Sequence, residues 1–400
     1  MLSVEEALEA ILSRIDVLGT ERVDVMASLG RTLAEPIVSH RQIPPWPNSS
    51  MDGYAVRAAD TGPDVVLRVV GRVEAGTLPA RAVEAGEAMR IFTGAPLPEG
   101  ADAVVPQEDV DAVDGRVSLR GGVDPAAYVR QAGEDVGVGD RVLERGTLLT
   151  AAEIGLLATL GHNQVSVHRR PRVAILSTGN ELADLGTEPG PGQIPNTNTY
   201  SLMAQVLEAG GVPISLGVAP DRLEAIEERV RRACDADVIL SSAGVSVGEL
   251  DLVREALTRA GAALHLWKVS MRPGKPITFG SLGARPVFGL PGNPVSAMVT
   301  FELFVRPALL KMSGRRRLAR ARLRARALAP IANPGSRRGY LRVRLEAIDG
   351  ALGARLTGEQ GSAILRSMVA ADGLAVIPPD TSIVPGDSVE VIILRELPSP

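Results

Sequence analysis

Arg172-Val173-Ala174-Ile175-Leu176-Ser177-Thr178-Gly179-Asn180-Glu181 is an apolar run that empties into a loop of hydroxyls, glycine, amide and acid. The plan recurs twice: Val238 to Leu240 leads into Ser241-Ser242-Ala243-Gly244-Val245-Ser246-Val247-Gly248, and Val287-Phe288 into Gly289-Leu290-Pro291-Gly292-Asn293-Pro294-Val295-Ser296. Ile214 to Val218 and Leu264 to Val269 are further strand patterns, and Tyr200 to Glu208, Arg222 to Ala233, Leu250 to Arg259 and Val295 to Met312 carry helical spacing. Such alternation over residues 171–314 predicts an α/β domain built on a parallel sheet with helices on both faces. Ligands of these sheets bind beyond the C-terminal ends of the strands, where the three loops lie.

On the N-terminal side, Val4, Leu8, Ile11, Leu12 and Ile15 predict a helix over Val4 to Leu18, with Ser3 as N-cap and Glu6 closing a capping box. Short apolar runs broken by Gly, Pro and Asp-Gly turns predict a small β domain over 44–140. Helical spacing returns at Ala151 to Leu157, so the β domain reads as inserted into a split N-terminal helical domain, 1–43 and 141–170. After Gly314, Arg320, Arg322, Arg324 and Arg326 alternate with Ala and Leu. That is the period of a half-buried strand with a solvated charged face rather than of a nucleic-acid tail. Tyr340 to Ala347, Leu374 to Pro378 and Ser388 to Leu394 complete a C-terminal β domain, 315–400. The fold class is α/β plus β, in several domains.

Composition narrows the function. The 400 residues are 45% hydrophobic and 22% charged, ordinary for a globular protein, while 42 glycines and 29 prolines point to many shaped loops. A net charge of −4 argues against nucleic-acid or anionic-membrane partners and for a small one. One cysteine, Cys234, and four histidines without ligand spacing exclude a disulfide framework and a Cys-rich zinc site, and fit a reducing cytoplasm. Acidic residues stand where a signal peptide would carry base, and the apolar stretch from Val295 is broken by Glu302, Arg306 and Pro307. Export and membrane insertion are not expected.

Of 43 basic residues only Lys268, Lys275 and Lys311 are lysine. Two of them lie within ten residues, Trp267 to Pro276, where Met271-Arg272-Pro273-Gly274-Lys275-Pro276 is a proline-stiffened turn that offers Arg272 and Lys275 to an oxyanion. Neither a P-loop nor a dinucleotide fingerprint occurs. Three Gly- and hydroxyl-rich loops at strand ends favour a phosphate-bearing ligand over ordinary tight turns. Acids recur in loops at Asp52, Asp135, Glu181, Asp221 and Asp251. Beside phosphate cradles such acids hold Mg²⁺, which takes one or two carboxylates with water and phosphate oxygens; each one alone also reads as a turn or cap residue.

Six motifs in order resemble the molybdopterin molybdenumtransferases, the MoeA proteins and the gephyrin C-terminal domain, over essentially the whole chain. They are Pro-Asn-Ser-Ser-Met-Asp-Gly-Tyr-Ala (47–55), Thr-Gly-Ala-Pro-Leu-Pro-Glu-Gly-Ala-Asp-Ala-Val-Val (93–105), Ser-Thr-Gly-Asn-Glu-Leu (177–182), Ser-Ser-Ala-Gly-Val-Ser-Val-Gly (241–248), Arg-Pro-Gly-Lys-Pro (272–276) and Gly-Leu-Pro-Gly-Asn-Pro-Val-Ser (289–296). The resemblance implies an elongated four-domain homodimer whose α/β domain binds molybdopterin, or its adenylylated form, in a cleft completed by the partner subunit. It implies molybdate insertion with divalent-cation-dependent release of AMP. Asp52, Asp135, Glu181, Asp221, Asp251, Lys268 and Lys275 match the catalytic set, with Glu181, Asp221 and Asp251 on the metal. Thr178, Gly179, Ser242, Gly244, Ser246, Gly248, Arg272, Pro273, Gly274, Pro291, Gly292 and Asn293 match the substrate-binding loops. Gly-Tyr-Leu-Arg (339–342) and Gly-Glu-Gln-Gly-Ser (358–362) resemble segments that bring an Arg and a Ser near molybdate, here Arg342 and Ser362. Departures are Ala243 where Gly is usual and Asn196 where Asp is common.

The implied partners are the molybdopterin adenylyltransferase and apo-molybdoenzymes. A non-catalytic, gephyrin-type scaffold is the main alternative, and it predicts erosion of the acidic and Arg/Lys set. A molybdopterin-adenylylating enzyme would need only the α/β domain.

Overall fold

A computed structural model describes residues 1–242, 252–348 and 350–395. They form two compact units: Met1–Ala34 with Gly146–Ala151 and Gln164–Pro400, and Glu35–Arg145 with Ala152–Asn163.

The first unit carries a six-stranded sheet in the order Val212–Ala219, Arg172–Thr178, Val238–Ser242, Arg285–Leu290, Pro276–Leu282, Ala263–Lys268. Its first four strands are parallel. Val173 and Ile175 pack on one face, against helix α3 (Thr197–Glu208) and the helices α6 (Pro294–Thr300) and α7 (Arg306–Met312). Ala174 and Leu176 pack on the other, against α4 (Leu223–Arg232) and α5 (Leu252–Arg259). Strand alternation thus feeds two cores, and the continuous burial from Val173 to Thr178 is that of a central parallel strand.

The expected parallel sheet is present and is extended at one edge by two antiparallel strands. Pro276–Leu282 pairs antiparallel with Arg285–Leu290, and Ala263–Lys268 pairs antiparallel with Pro276–Leu282. Only Gly283 and Ala284 join the first two, with Gly283 at φ +61°. A two-residue link makes a hairpin, whereas a parallel crossover needs a dozen residues or more.

Helix α1 (Val4–Leu12) begins with the Ser3/Glu6 capping box but stops six residues short of the expected Leu18. Lys311 Nζ donates to the Leu12 carbonyl at 2.8 Å, and Leu18 N–H donates to the Met312 carbonyl. Tertiary bonds from the end of α7 draw the chain off its helical path, while Ile15 stays buried. Thr20–Asp24 then pairs antiparallel with Gln164–His168, which ties the two parts of the split N-terminal region. The helix expected over Val295 to Met312 forms with a π-turn at Phe301–Val305 between α6 and α7. There the buried Glu302 receives two bonds from Arg320.

The C-terminal strands close a ring: Arg338–Ile348, Ala351–Leu356, Arg322–Ala327, Ser388–Ile393, Gly373–Ile377 and back to Arg338–Ile348. Arg322, Arg324 and Arg326 face solvent while Ala325 and Ala327 are buried, so the alternating strand is borne out; Arg320 lies before it, on Glu302. The second unit holds most of helix α2 (Ala151–Thr159) and is built on a six-stranded sheet, in which Val110–Val113 and Arg116–Leu119 turn at Asp114-Gly115 with both φ positive, the hairpin expected of that dipeptide. Among the described residues no helix is long and apolar enough to cross a membrane.

Candidate functional site

The C-terminal ends of Arg172–Thr178, Val238–Ser242 and Arg285–Leu290 gather round a cleft of about 150 Å³ whose lining includes Thr178, Glu181, Asn196, Asn198, Ser242 and Gly292. Gly179 has φ +145°, and a Cβ there would stand 2.4 Å from a Glu181 carboxylate oxygen. Glycine is therefore what lets Glu181 fold back over its own loop. Among the described residues the Glu181 carboxylate has no hydrogen-bond or ion-pair partner. Asn180 and Asp221 are locked reciprocally: Asn180 N–H donates to Asp221 Oδ2 and Asp221 N–H to Asn180 Oδ1, both at 3.1 Å. That pair fastens the loop after Arg172–Thr178 to the loop after Val212–Ala219.

Asn198, on α3, donates through Nδ2 to Ser242 Oγ and to the Gly292 carbonyl, each at 2.7 Å, and so joins the end of Val238–Ser242 to the loop after Arg285–Leu290. Asn293 caps α6 with its backbone and spends its side chain on Ser362 Oγ at 3.0 Å, while Val295 N–H donates to the Ser362 carbonyl. Pro291 and Gly292 thus sit in a loop held from two sides. This brings Ser362, from the C-terminal β region, to the mouth of the sheet.

Arg272 and Pro273 belong to a turn whose Gly274 has φ +99° and lies so close to α6 that a Cβ would meet Thr300 Oγ1 at 2.5 Å. Met271–Arg272 pairs with Arg338–Gly339, the start of the strand that carries Arg342. Lys268 and Lys275 close the neighbouring hairpin; both side chains are exposed and no carboxylate pairs with them among the described residues.

Arg342 is fully buried (0% exposed). Its Nε donates to Ser367 Oγ at 3.0 Å and its Nη2 to the Gly361 carbonyl at 3.1 Å, but Nη1 has no partner and no carboxylate stands beside it among the described residues. Burial, with the Arg272 charge adding to it, pushes its pKa down to about 10. A buried guanidinium without a counter-charge favours an oxyanion beside it.

The structure does not gather every residue singled out by the sequence. Asp52 and Asp135 belong to the second unit. There Asp52 Oδ1 accepts from Thr93 N–H at 2.8 Å and Thr93 Oγ1 at 2.7 Å, and these bonds, with the Arg90 guanidinium, hold its pKa below the ordinary carboxylate value. Asp135 is exposed. Gly244, Ser246, Gly248 and Asp251 lie outside the described residues. Among the described residues no three carboxylate, histidine or cysteine side chains assemble as a metal-ligand group. Sequence reasoning missed the part played by Asn198, and missed Ser367 and Gln360, which fix Arg342; only α3's position and the strand register reveal them.

Comparison with known proteins covers nearly the whole chain. Residues 2–161 match the MoeA N-terminal region (domain I and II), residues 174–311 a probable molybdopterin binding domain, and residues 324–394 the MoeA C-terminal region (domain IV). The chain is 38% identical to a molybdopterin molybdenumtransferase of Nostoc sp., over 98% of its length and 94% of the relative's. It is 35% identical to molybdopterin molybdenumtransferase 1 of Mycobacterium tuberculosis, over 99% and 100%. A crystal structure of the molybdopterin biosynthesis moeA protein from Pyrococcus horikoshii OT3 superposes with a TM-score of 0.85 at 31% identity, covering 98% of this chain and all of that one. The chain, matched along nearly its full length in sequence and in fold, belongs to the MoeA family of molybdopterin molybdenumtransferases.

Proposed function

We propose that this chain inserts molybdate into adenylylated molybdopterin, releasing AMP, and that it does so as a cytoplasmic homodimer. The observation that carries the reading is Arg342: a buried cation with an unpartnered Nη1, next to the positive Arg272, needs an oxyanion. Molybdate supplies tetrahedral oxygens for Arg342 and Arg272, with the Ser362 hydroxyl nearby as a neutral donor. Lys268 and Lys275, compact ammonium groups that no carboxylate pairs with among the described residues, neutralise substrate phosphate.

Mg²⁺ suits the donor set. Glu181 offers a whole carboxylate and Asp221 keeps Oδ1 free of the Asn180 bond, which is the small number of acids that Mg²⁺ takes when phosphate oxygens complete its shell. Glu181 and Asp221 would hold it, with Asp251 as the third ligand by resemblance, and its charge would offset that of the departing AMP phosphate. The Thr178, Gly179, Ser242, Pro291, Gly292 and Asn293 loops, and by resemblance Gly244, Ser246 and Gly248, position the pterin dithiolene for molybdenum. Asp52, kept ionised by Thr93, and Asp135 complete the cleft from the partner subunit. The partners implied by the resemblance are the molybdopterin adenylyltransferase as donor and apo-molybdoenzymes as acceptors.

The retained Lys, Arg and acid set speaks against the gephyrin-type scaffold. The test supplies purified protein with adenylylated molybdopterin, molybdate and Mg²⁺, and follows AMP release and activation of an apo-molybdoenzyme together. Coupled AMP release and activation is the expected result; pterin binding without either would make the protein a carrier.

A further inference from the structure

Arg342 sits where one of its neighbouring strands gives out. The antiparallel ladder with Ala351–Leu356 ends at the pair of Val343 and Leu356, and one further bond, from Thr357 N–H to the Arg342 carbonyl at 3.0 Å, closes it. The chain then leaves through Gly358, at φ +107°, so no strand on that side faces the Arg342 N–H. The Gln360 side chain takes the strand's place. Its Oε1 accepts the Arg342 N–H at 2.8 Å, while Nε2 donates to the Arg342 carbonyl at 3.2 Å and to the Gly358 carbonyl at 3.0 Å. Only the carbonyl end of the amide can accept from an N–H, so these bonds fix its orientation and spend it on the backbone.

The two residues that follow tie this amide to the mouth of the sheet. The Gly361 carbonyl accepts from Arg342 Nη2 at 3.1 Å, Ser362 Oγ accepts from Asn293 Nδ2 at 3.0 Å, and the Ser362 carbonyl accepts the Val295 N–H. Residues 360–362 therefore hold, in turn, the backbone of Arg342, its guanidinium and the start of α6. We propose that Gln360 is a positioning residue of the oxyanion seat, fixing the Ser362 hydroxyl relative to the Arg342 guanidinium before the anion arrives. The inference rests on the transferase reading, in which those two groups receive molybdate, and adds to it a residue whose own amide is not offered to substrate. Gly358 and Gly361 leave this short segment conformationally free, so without the Gln360 bonds its ordering falls to the binding step and is taken out of affinity. Once the seat is filled the same donors surround the anion, and turnover at saturation is untouched.

Gln360→Met keeps the length of the side chain and removes both hydrogen-bonding groups; Gln360→Ala, which makes room for water, is the second variant. Gln360 is half-buried, so water can answer the Arg342 N–H and the fold survives the change. The full chain is titrated with molybdate by calorimetry, and AMP release is followed while molybdate and adenylylated molybdopterin are varied in turn. The expected result is a rise of about tenfold in the Kd and KM for molybdate, with kcat at saturating molybdate and the KM for adenylylated molybdopterin unchanged. A folded variant with wild-type affinity for molybdate overturns the inference. So does a variant in which kcat and both KM values shift together, which marks Gln360 as a strut of the fold. A wild-type chain that binds molybdate but releases no AMP removes the transferase reading, and the calorimetric comparison still decides the role of Gln360; a wild-type chain that binds no molybdate removes both.

Discussion

Replacing Arg342 by Met removes the buried charge and keeps an unbranched side chain in its place. The fall of the Arg342 pKa to about 10 corresponds to roughly 3 kcal/mol of unfavourable burial in the protein without an anion. Met relieves that and forfeits two charge-assisted bonds, to Ser367 and Gly361, worth about 1.5 kcal/mol each. The two nearly cancel, so without oxyanion Arg342→Met unfolds within about 2 kcal/mol of the wild type. Molybdate at a hundred times its Kd then adds about 2.7 kcal/mol to the wild type, a rise of several degrees, and nothing to the variant. The sign in pH follows: with the folded pKa depressed, the burial penalty is complete below about pH 10 and disappears as pH rises above it. Bound molybdate restores the pKa and abolishes that rise. Thermal unfolding with and without molybdate is the assay. Equal stabilisation of both proteins, or a variant that loses more than about 4 kcal/mol with no anion present, would refute the assignment of Arg342 as an anion seat rather than a structural strut.

Gly274→Ala puts a Cβ within 2.5 Å of Thr300 Oγ1 at φ +99°, so thermal unfolding should show a loss of about 1–3 kcal/mol, with AMP release falling alongside. Lys275→Ala, at an exposed side chain, should leave stability within about 0.5 kcal/mol while molybdate-dependent turnover drops at least tenfold, about 1.4 kcal/mol in the barrier; unchanged turnover removes Lys275 from the site. Thr93→Val strips a hydroxyl donor from Asp52, whose lowered pKa keeps it charged until the pH falls below the usual carboxylate range. The acid limb of the pH–activity profile should therefore move to higher pH in the variant, and an unmoved limb would show that Asp52 ionisation does not govern turnover.

The sequence displays best what local chemistry decides. Ser3 and Glu6 announce the start of α1, and Arg322 to Ala327 announces its exposed face, because capping and alternation involve residues a few positions apart. The end of α1 is set by Lys311, 299 residues away, and no local signal carries that bond. The antiparallel edge of the sheet was written in Gly283-Ala284, which reads as an unremarkable loop until its two-residue length is weighed against the span of a crossover. At the site, glycines and acids declare themselves by type. The setting of Arg342 depends on Gln360, Gly361 and Ser367, drawn from another stretch of the β region, and Asn198 acquires its role only when α3 is laid across two strand ends.

The scarcity of lysine makes the proposed phosphate grip chemically addressable. Lys311 is engaged at the Leu12 carbonyl, whereas Lys268 and Lys275 stand exposed at one hairpin. An amine-acylating reagent, mapped by mass spectrometry, will find most of its lysine targets at this hairpin, and protection of those two residues by substrate would report occupancy directly on a chain of 400 residues.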